Sequence, residues 1–108
     1  MNTIKESDWR VFKTIKEEAL DSFCNERLRE YDAIIKDNSQ TAHERYLNLF
    51  KLSRVRDKEM AWLFDGHSRS KAFLQLLAIR SEGLANQDLV ERLSEELRSQ
   101  TDPKRFGE

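Results

Sequence analysis

Turn-forming residues are scarce in this chain of 108 residues, which holds three glycines and one proline, Pro103. Hairpins and Greek-key corners consume such residues at every reversal, so the composition argues against an all-β fold and for long helices. Cysteine is scarcer still. The single Cys24 can close no intramolecular disulfide and supplies neither a secreted disulfide framework nor a zinc-finger spacing, which points to the reducing cytoplasm. Long hydrophobic runs are missing: no stretch of about 18 apolar residues could span a bilayer, and Met1–Glu6 lacks the apolar region of a signal peptide. Neither membrane association nor targeting is expected. An excess of either charge is missing as well, with 19 Lys and Arg against 20 Asp and Glu and a formal net charge of -1. No long-range field draws the chain to phosphate backbones or anionic lipid, so nucleic acid is disfavoured as a partner.

What is present is 38% hydrophobic and 36% charged residues, a balance that suits long amphipathic helices with much solvated surface. A first helix is expected from Asp8 to Lys36, capped by Ser7, with Asp8 near the positive end of the helix dipole. Its apolar face carries Trp9, Phe12, Ala19, Leu20, Phe23, Tyr31, Ile34 and Ile35, with Ile15 and Cys24 at the edges. Asp37-Asn38-Ser39-Gln40 breaks that pattern, and Thr41 with Glu44 spells a capping box that opens a second helix, ending near Phe64 or Asp65. Tyr46, Leu49, Phe50, Met60, Ala61 and Phe64 form its principal stripe. Leu52, Val55, Trp62 and Leu63 point elsewhere and make a candidate interaction surface.

Gly66 either ends this helix as a left-handed cap, with Ser68 capping the next, or is crossed at a cost of about 1 kcal/mol relative to alanine. Between Arg69 and Arg80 apolar residues point almost all round, which predicts an enclosed element at the centre of the core. Gly83 then supplies a stop, and Asn86 caps a fourth, short helix with a stripe of Leu89, Val90, Leu93 and Leu97. The pattern ends near Ser99. One helical domain is therefore expected over residues 1–98, with 99–108 as a poorly ordered tail containing Pro103 and Gly107.

The implied fold class is all-α: an elongated antiparallel helical hairpin or bundle of three to four helices. A first helix of about 43 Å exceeds what a compact domain of this size accommodates, and roughly 40 remaining residues can cover only part of the hairpin. A homodimer that buries the rest is the expected assembly.

Chemistry-bearing constellations are absent from the sequence. His43-Glu44 would begin a zinc-protease helix, but Leu47 stands where the second histidine belongs, and His67 has no metal-ligand spacing around it. Cys24 reads as a packing residue, and Glu17-Glu18 and Glu95-Glu96 as solvated faces. No enzyme activity and no cofactor are expected. Charges that interrupt apolar stripes are more informative, because a charge in a core must be paired. Lys16 and Arg27 do so on the first helix and Asp57 on the second, which predicts an Arg27–Asp57 or Lys16–Asp57 ion pair, within the chain or across a dimer, fixing helix register. The rival reading is a polar groove for a ligand.

Lys51, Arg54, Arg56, Lys58, Arg69 and Lys71 make the middle of the chain basic, while Glu82, Asp88, Glu91, Glu95 and Glu96 make its end acidic. The leading expectation is a non-enzymatic protein–protein interaction or structural module that self-associates, with a second protein as a further partner. The alternative is a nucleic-acid-associated regulator using the basic 51–71 region, although Asp57 and Glu59 interrupt that run and no aromatic platform accompanies it.

Asp8-Trp9, Phe12, Ala19-Leu20, Phe23-Cys24, His43-Glu44-Arg45-Tyr46, Arg56-Asp57-Lys58-Glu59 and Ile79-Arg80 ahead of Gly83-Leu84 together resemble a family of small all-helical bacterial proteins of unknown function. The resemblance spans about Asp8 to Leu97. It implies a bacterial, cytosolic origin and adds nothing on mechanism.

Overall fold

The computed structural model describes residues 4–106. Helix α1 runs over Glu6–Ile35 and α2 over Ala42–Phe64; a 3-10 turn, Arg69–Lys71, leads into α3, Ala72–Ser81, followed by α4, Gln87–Val90, α5, Glu95–Gln100, and a closing 3-10 turn, Pro103–Phe106. The fold is all-α, with α1 packed against α2, α3 and α4.

The two long helices reverse in a few residues because each side chain there has a local task. Asp37 Oδ1 accepts from the Ser39 backbone N–H at 3.1 Å and from its hydroxyl at 2.6 Å, which holds the turn. Glu44 N–H donates to Thr41 Oγ1 at 3.1 Å while Thr41 N–H donates to Glu44 Oε1 at 2.8 Å, completing the capping box read from the sequence. Gly66, with φ of +77°, follows the end of α2, so the helix breaks there rather than running on. Gly83, with φ of +70°, ends α3 through Gly83 N–H to Arg80 O and Leu84 N–H to Ile79 O, each 3.1 Å, a Schellman cap.

The core sits at one end of the hairpin. Trp9, Phe12, Ile15, Ala19 and Phe23 of α1 meet Leu63 and Phe64 of α2, and are covered by Ala72, Leu76 and Ile79 of α3 together with Leu89, Val90, Leu93 and Leu97. Between Phe23 and Leu63 no apolar side chain is fully buried. The molecule is accordingly long, 53 × 26 × 23 Å with a radius of gyration of 16.8 Å, against about 13 Å for a compact chain of this length.

Several expectations need correcting. The first helix starts at Glu6, with Lys5 rather than Ser7 in the N-cap position and no side-chain capping bond, and Asp8 turns into the core, where it accepts from Ser94 N–H at 2.8 Å and from the Ser94 hydroxyl at 2.6 Å. Helix α3 is not enclosed: Ala72, Leu76 and Ile79 are buried but Leu74, on the opposite side, faces solvent. The predicted fourth helix is two, because Ser94 starts a new one by accepting from Leu97 N–H at 3.2 Å; all four stripe residues remain buried. The described part of the expected tail packs. Thr101 is buried, donates to Leu97 O at 2.8 Å and accepts from Arg80 Nη1 at 3.0 Å, and the turn beyond it lies against α3. Gly107 and Glu108 lie outside the described residues.

Candidate interaction surface

Away from the core, α1 and α2 are held together by charge. Arg56 reaches from α2 and donates twice to Glu30 of α1, Nε to Oε1 at 3.0 Å and Nη2 to Oε2 at 2.6 Å, while its Nη1 donates to Glu59 Oε1 at 2.7 Å. Arg27 contacts Glu30 from one turn earlier on α1 and lays its guanidinium over the Phe23 ring at 4.8 Å. With Glu26, which accepts from Arg27 Nη2 at 3.2 Å, three carboxylates and two guanidiniums alternate, the bidentate Arg56–Glu30 pair among them. The Arg56 hydrogen bonds hold the Glu30 carboxyl below its ordinary value of 4.5, with Arg27 adding to the effect against the opposing pull of burial.

Above this lock lies an open groove of about 620 Å³ between the helices, walled by Cys24, Leu28 and Tyr31 on one side and Ser53, Asp57 and Met60 on the other. Helical spacing extends both walls. Cys24, Leu28, Tyr31 and Ile35 on α1, and Tyr46, Phe50, Ser53 and Asp57 on α2, follow the same i, i+4, i+7, i+11 rhythm, so each set forms a stripe along one face. Leu28 is 61% exposed, Tyr46 68% and Phe50 52%. The principal stripe expected to bury the second helix therefore divides: Phe64 and Met60 join the core end while Tyr46, Phe50 and Ala61 front solvent, and the residues turned toward α1 are polar ones such as Arg45 and Arg56 interleaved with half-buried Leu49 and Leu52.

Within the chain, neither the predicted Arg27–Asp57 nor the Lys16–Asp57 pair is made among the described residues. Asp57 is exposed on the groove wall, about 100° round the helix from Arg56, and makes no salt bridge among the described residues. Lys16 lies too near the core end to meet it. Its Nζ donates to Gly66 O at 2.7 Å and to Gln75 Oε1 at 3.1 Å, while Gln75 Nε2 donates to Asp65 O at 2.7 Å, so the pair clamps the carbonyls after α2. Burial pulls the Lys16 ammonium below its ordinary value. Glu30 and Arg56 were missed; the available signal was that Glu30 follows Arg27 by three residues and so prolongs the same charged row.

Of the candidate surface Leu52, Val55, Trp62 and Leu63, the structure exposes Val55 and Trp62, half-buries Leu52 and buries Leu63. The four span about 100° of α2, from the open side at Val55 and Trp62 to the side turned toward α1 at Leu52 and Leu63, so only half of that arc is accessible. The basic 51–71 region likewise divides. Arg56 is committed to the lock, Arg69 pairs with Glu6 at 2.6 Å and covers the Trp9 ring at 5.0 Å, and Arg54 lies over the Phe50 ring at 5.7 Å. His43 is exposed near the start of α2, whereas His67 stacks on Trp9 with centroids 4.7 Å apart; no cluster of metal-ligating side chains occurs among the described residues. No helix is long and apolar enough to cross a membrane. Comparison with protein-family models, with curated proteins and with solved structures finds no match to this chain.

Proposed function

We propose that this protein is a non-enzymatic, self-associating helical module of the cytosol, whose hairpin packs face to face with that of a second copy. The observation that carries the reading is the pair of stripes on one face of the hairpin that expose apolar side chains at Leu28, Ile35, Tyr46 and Phe50. Two such hairpins make four helices around a common interior, the arrangement in which bundles bury what a hairpin alone cannot.

Charge favours a second copy as the occupant. Arg54 and Asp57 border the groove one turn apart and neither has a salt bridge among the described residues. A two-fold axis makes an interface self-complementary, so one cation and one anion per copy become two cross-pairs. The stripes run about 17 Å along the helices and the face is about 20 Å wide, so two copies remove on the order of 700 Å² from water, the size of a weak, concentration-dependent interface.

Light scattering tests the reading. The expected mass at about 100 µM is twice the 12.8 kDa chain. Leu28→Glu with Phe50→Glu returns the monomer mass with unchanged helix content. Arg54→Asp and Asp57→Arg each weaken the dimer and together restore it. A wild-type monomer at that concentration overturns the proposal, and nucleic acid that co-purifies and is released by salt favours the regulator reading instead.

A further inference from the structure

A second exposed face lies roughly 130° round α2 from the groove. Lys51, Val55, Lys58 and Trp62 repeat the i, i+4, i+7, i+11 spacing there, alternating cation with apolar side chain. Trp62 is 65% exposed and borders a shallow hollow with Leu74, itself 64% exposed, and Leu77 of α3. Neither lysine has a salt bridge among the described residues, although ion pairs are made elsewhere along the hairpin at Arg27, Lys36 and Arg56. Glu82, on the turn after α3, is the acidic residue among those lining the hollow.

We infer that this face, exposing Val55, Trp62 and Leu74 alongside the unpaired ammonium groups of Lys51 and Lys58, docks an acidic amphipathic helix of another protein. Its apolar side chains fill the Trp62–Leu74–Leu77 hollow. Trp62 has the size and the amphipathic ring of an interface anchor. The lysines stand about 10 Å apart along the helix axis, so the partner presents carboxylates two helical turns apart beside its apolar stripe. Such a partner gains charge complementarity that a basic or neutral helix lacks, which sets specificity more than affinity. The groove stays free throughout, so this docking does not depend on self-association.

The test is calorimetric titration of the full chain with two synthetic amphipathic helical peptides that share one apolar stripe. One carries glutamates two turns apart beside it and the other lysines at the same positions. The glutamate peptide is expected to bind about tenfold or more tightly than the lysine peptide. Lys51→Glu with Lys58→Glu reverses that preference, and Trp62→Ala abolishes binding of the glutamate peptide while helix content stays unchanged. Leu28→Glu with Phe50→Glu leaves peptide binding intact, which separates this inference from the fate of the dimer. Failure of the glutamate peptide to bind, equal binding of both, or a preference unmoved by the lysine reversals overturns the inference. So does loss of the dimer mass on Trp62→Ala, which assigns the face to self-assembly. Tighter binding of a duplex oligonucleotide that needs the lysines but not Trp62 overturns it as well.

Discussion

The two ends of the hairpin solve the same problem differently. At the base, α1 and α2 bring Phe12, Ile15, Phe23 and Leu63 together, and three further helices close over them. Beyond Phe23 the same two helices carry as many large apolar residues, yet Leu28, Ile35, Tyr46 and Phe50 stay in water and the interhelical contact is an ion-pair network around Glu30 and Arg56. Apolar burial stabilises one end of the hairpin; at the other, the exposed apolar side chains back onto a charged contact and are the basis of the self-association proposed above. The lock between the helices gives that surface a defined shape before any partner arrives.

The largest contrast comes from matched truncations. Phe12→Ala at the base is expected to cost about 3–5 kcal/mol of unfolding free energy, whereas Phe50→Ala, measured below the dimerisation range, stays within about 0.5 kcal/mol of wild type. Similar losses at both sites in urea titrations would erase the distinction between the two ends. Next in size, Gly66→Ala forces a side chain into the left-handed region at φ +77° with its Cβ 2.7 Å from Lys71 Nζ. It costs about 1–2 kcal/mol, somewhat more than Gly83→Ala, where φ is +70° but the space is open. A thermal melt of each variant ranks them.

The charged lock yields a smaller effect. Arg56→Ala is expected to lose about 1 kcal/mol, because the network is partly solvated and only its bidentate geometry lifts it above an ordinary surface pair. Amide exchange in the outer parts of α1 and α2 should accelerate while the base is unmoved. Smallest is the response to acid. The Glu30 carboxyl titrates below its ordinary 4.5 in the folded chain, held there chiefly by Arg56. Its contribution is therefore complete above that value and is lost as pH falls through the lowered folded pKa. Thermal unfolding of wild type should lose stability relative to Glu30→Gln over that acid window and not above it.

The architecture was legible where local chemistry announces itself. Thr41 and Glu44, Gly66, Gly83 and Asn86 bounded helices as their capping roles require, and a hairpin too long for its remaining residues followed from helix length alone. Orientation was less legible. A broad apolar arc on α2 admits two rotations about the helix axis, and periodicity favours the one that buries Phe50 and Tyr46; the structure adopts the other because Arg56 and Glu30 claim the interface. That rotation puts Asp57 on the groove wall, away from Lys16 and Arg27 of its own chain. The packed segment after Ser99 was illegible for a similar reason. Thr101 is buried by partners on α3 and α5 whose positions no local pattern discloses.

Hydrogen exchange followed as a function of protein concentration tests the central claim most directly, that the outer hairpin is a face completed by a second copy while the base is complete in one chain. Amides of residues 24–35 and 46–60 should exchange more slowly as concentration rises through the dimerisation range, with those of residues 9–23 and 72–97 unchanged. Equal, concentration-independent protection along both halves of the hairpin would contradict it.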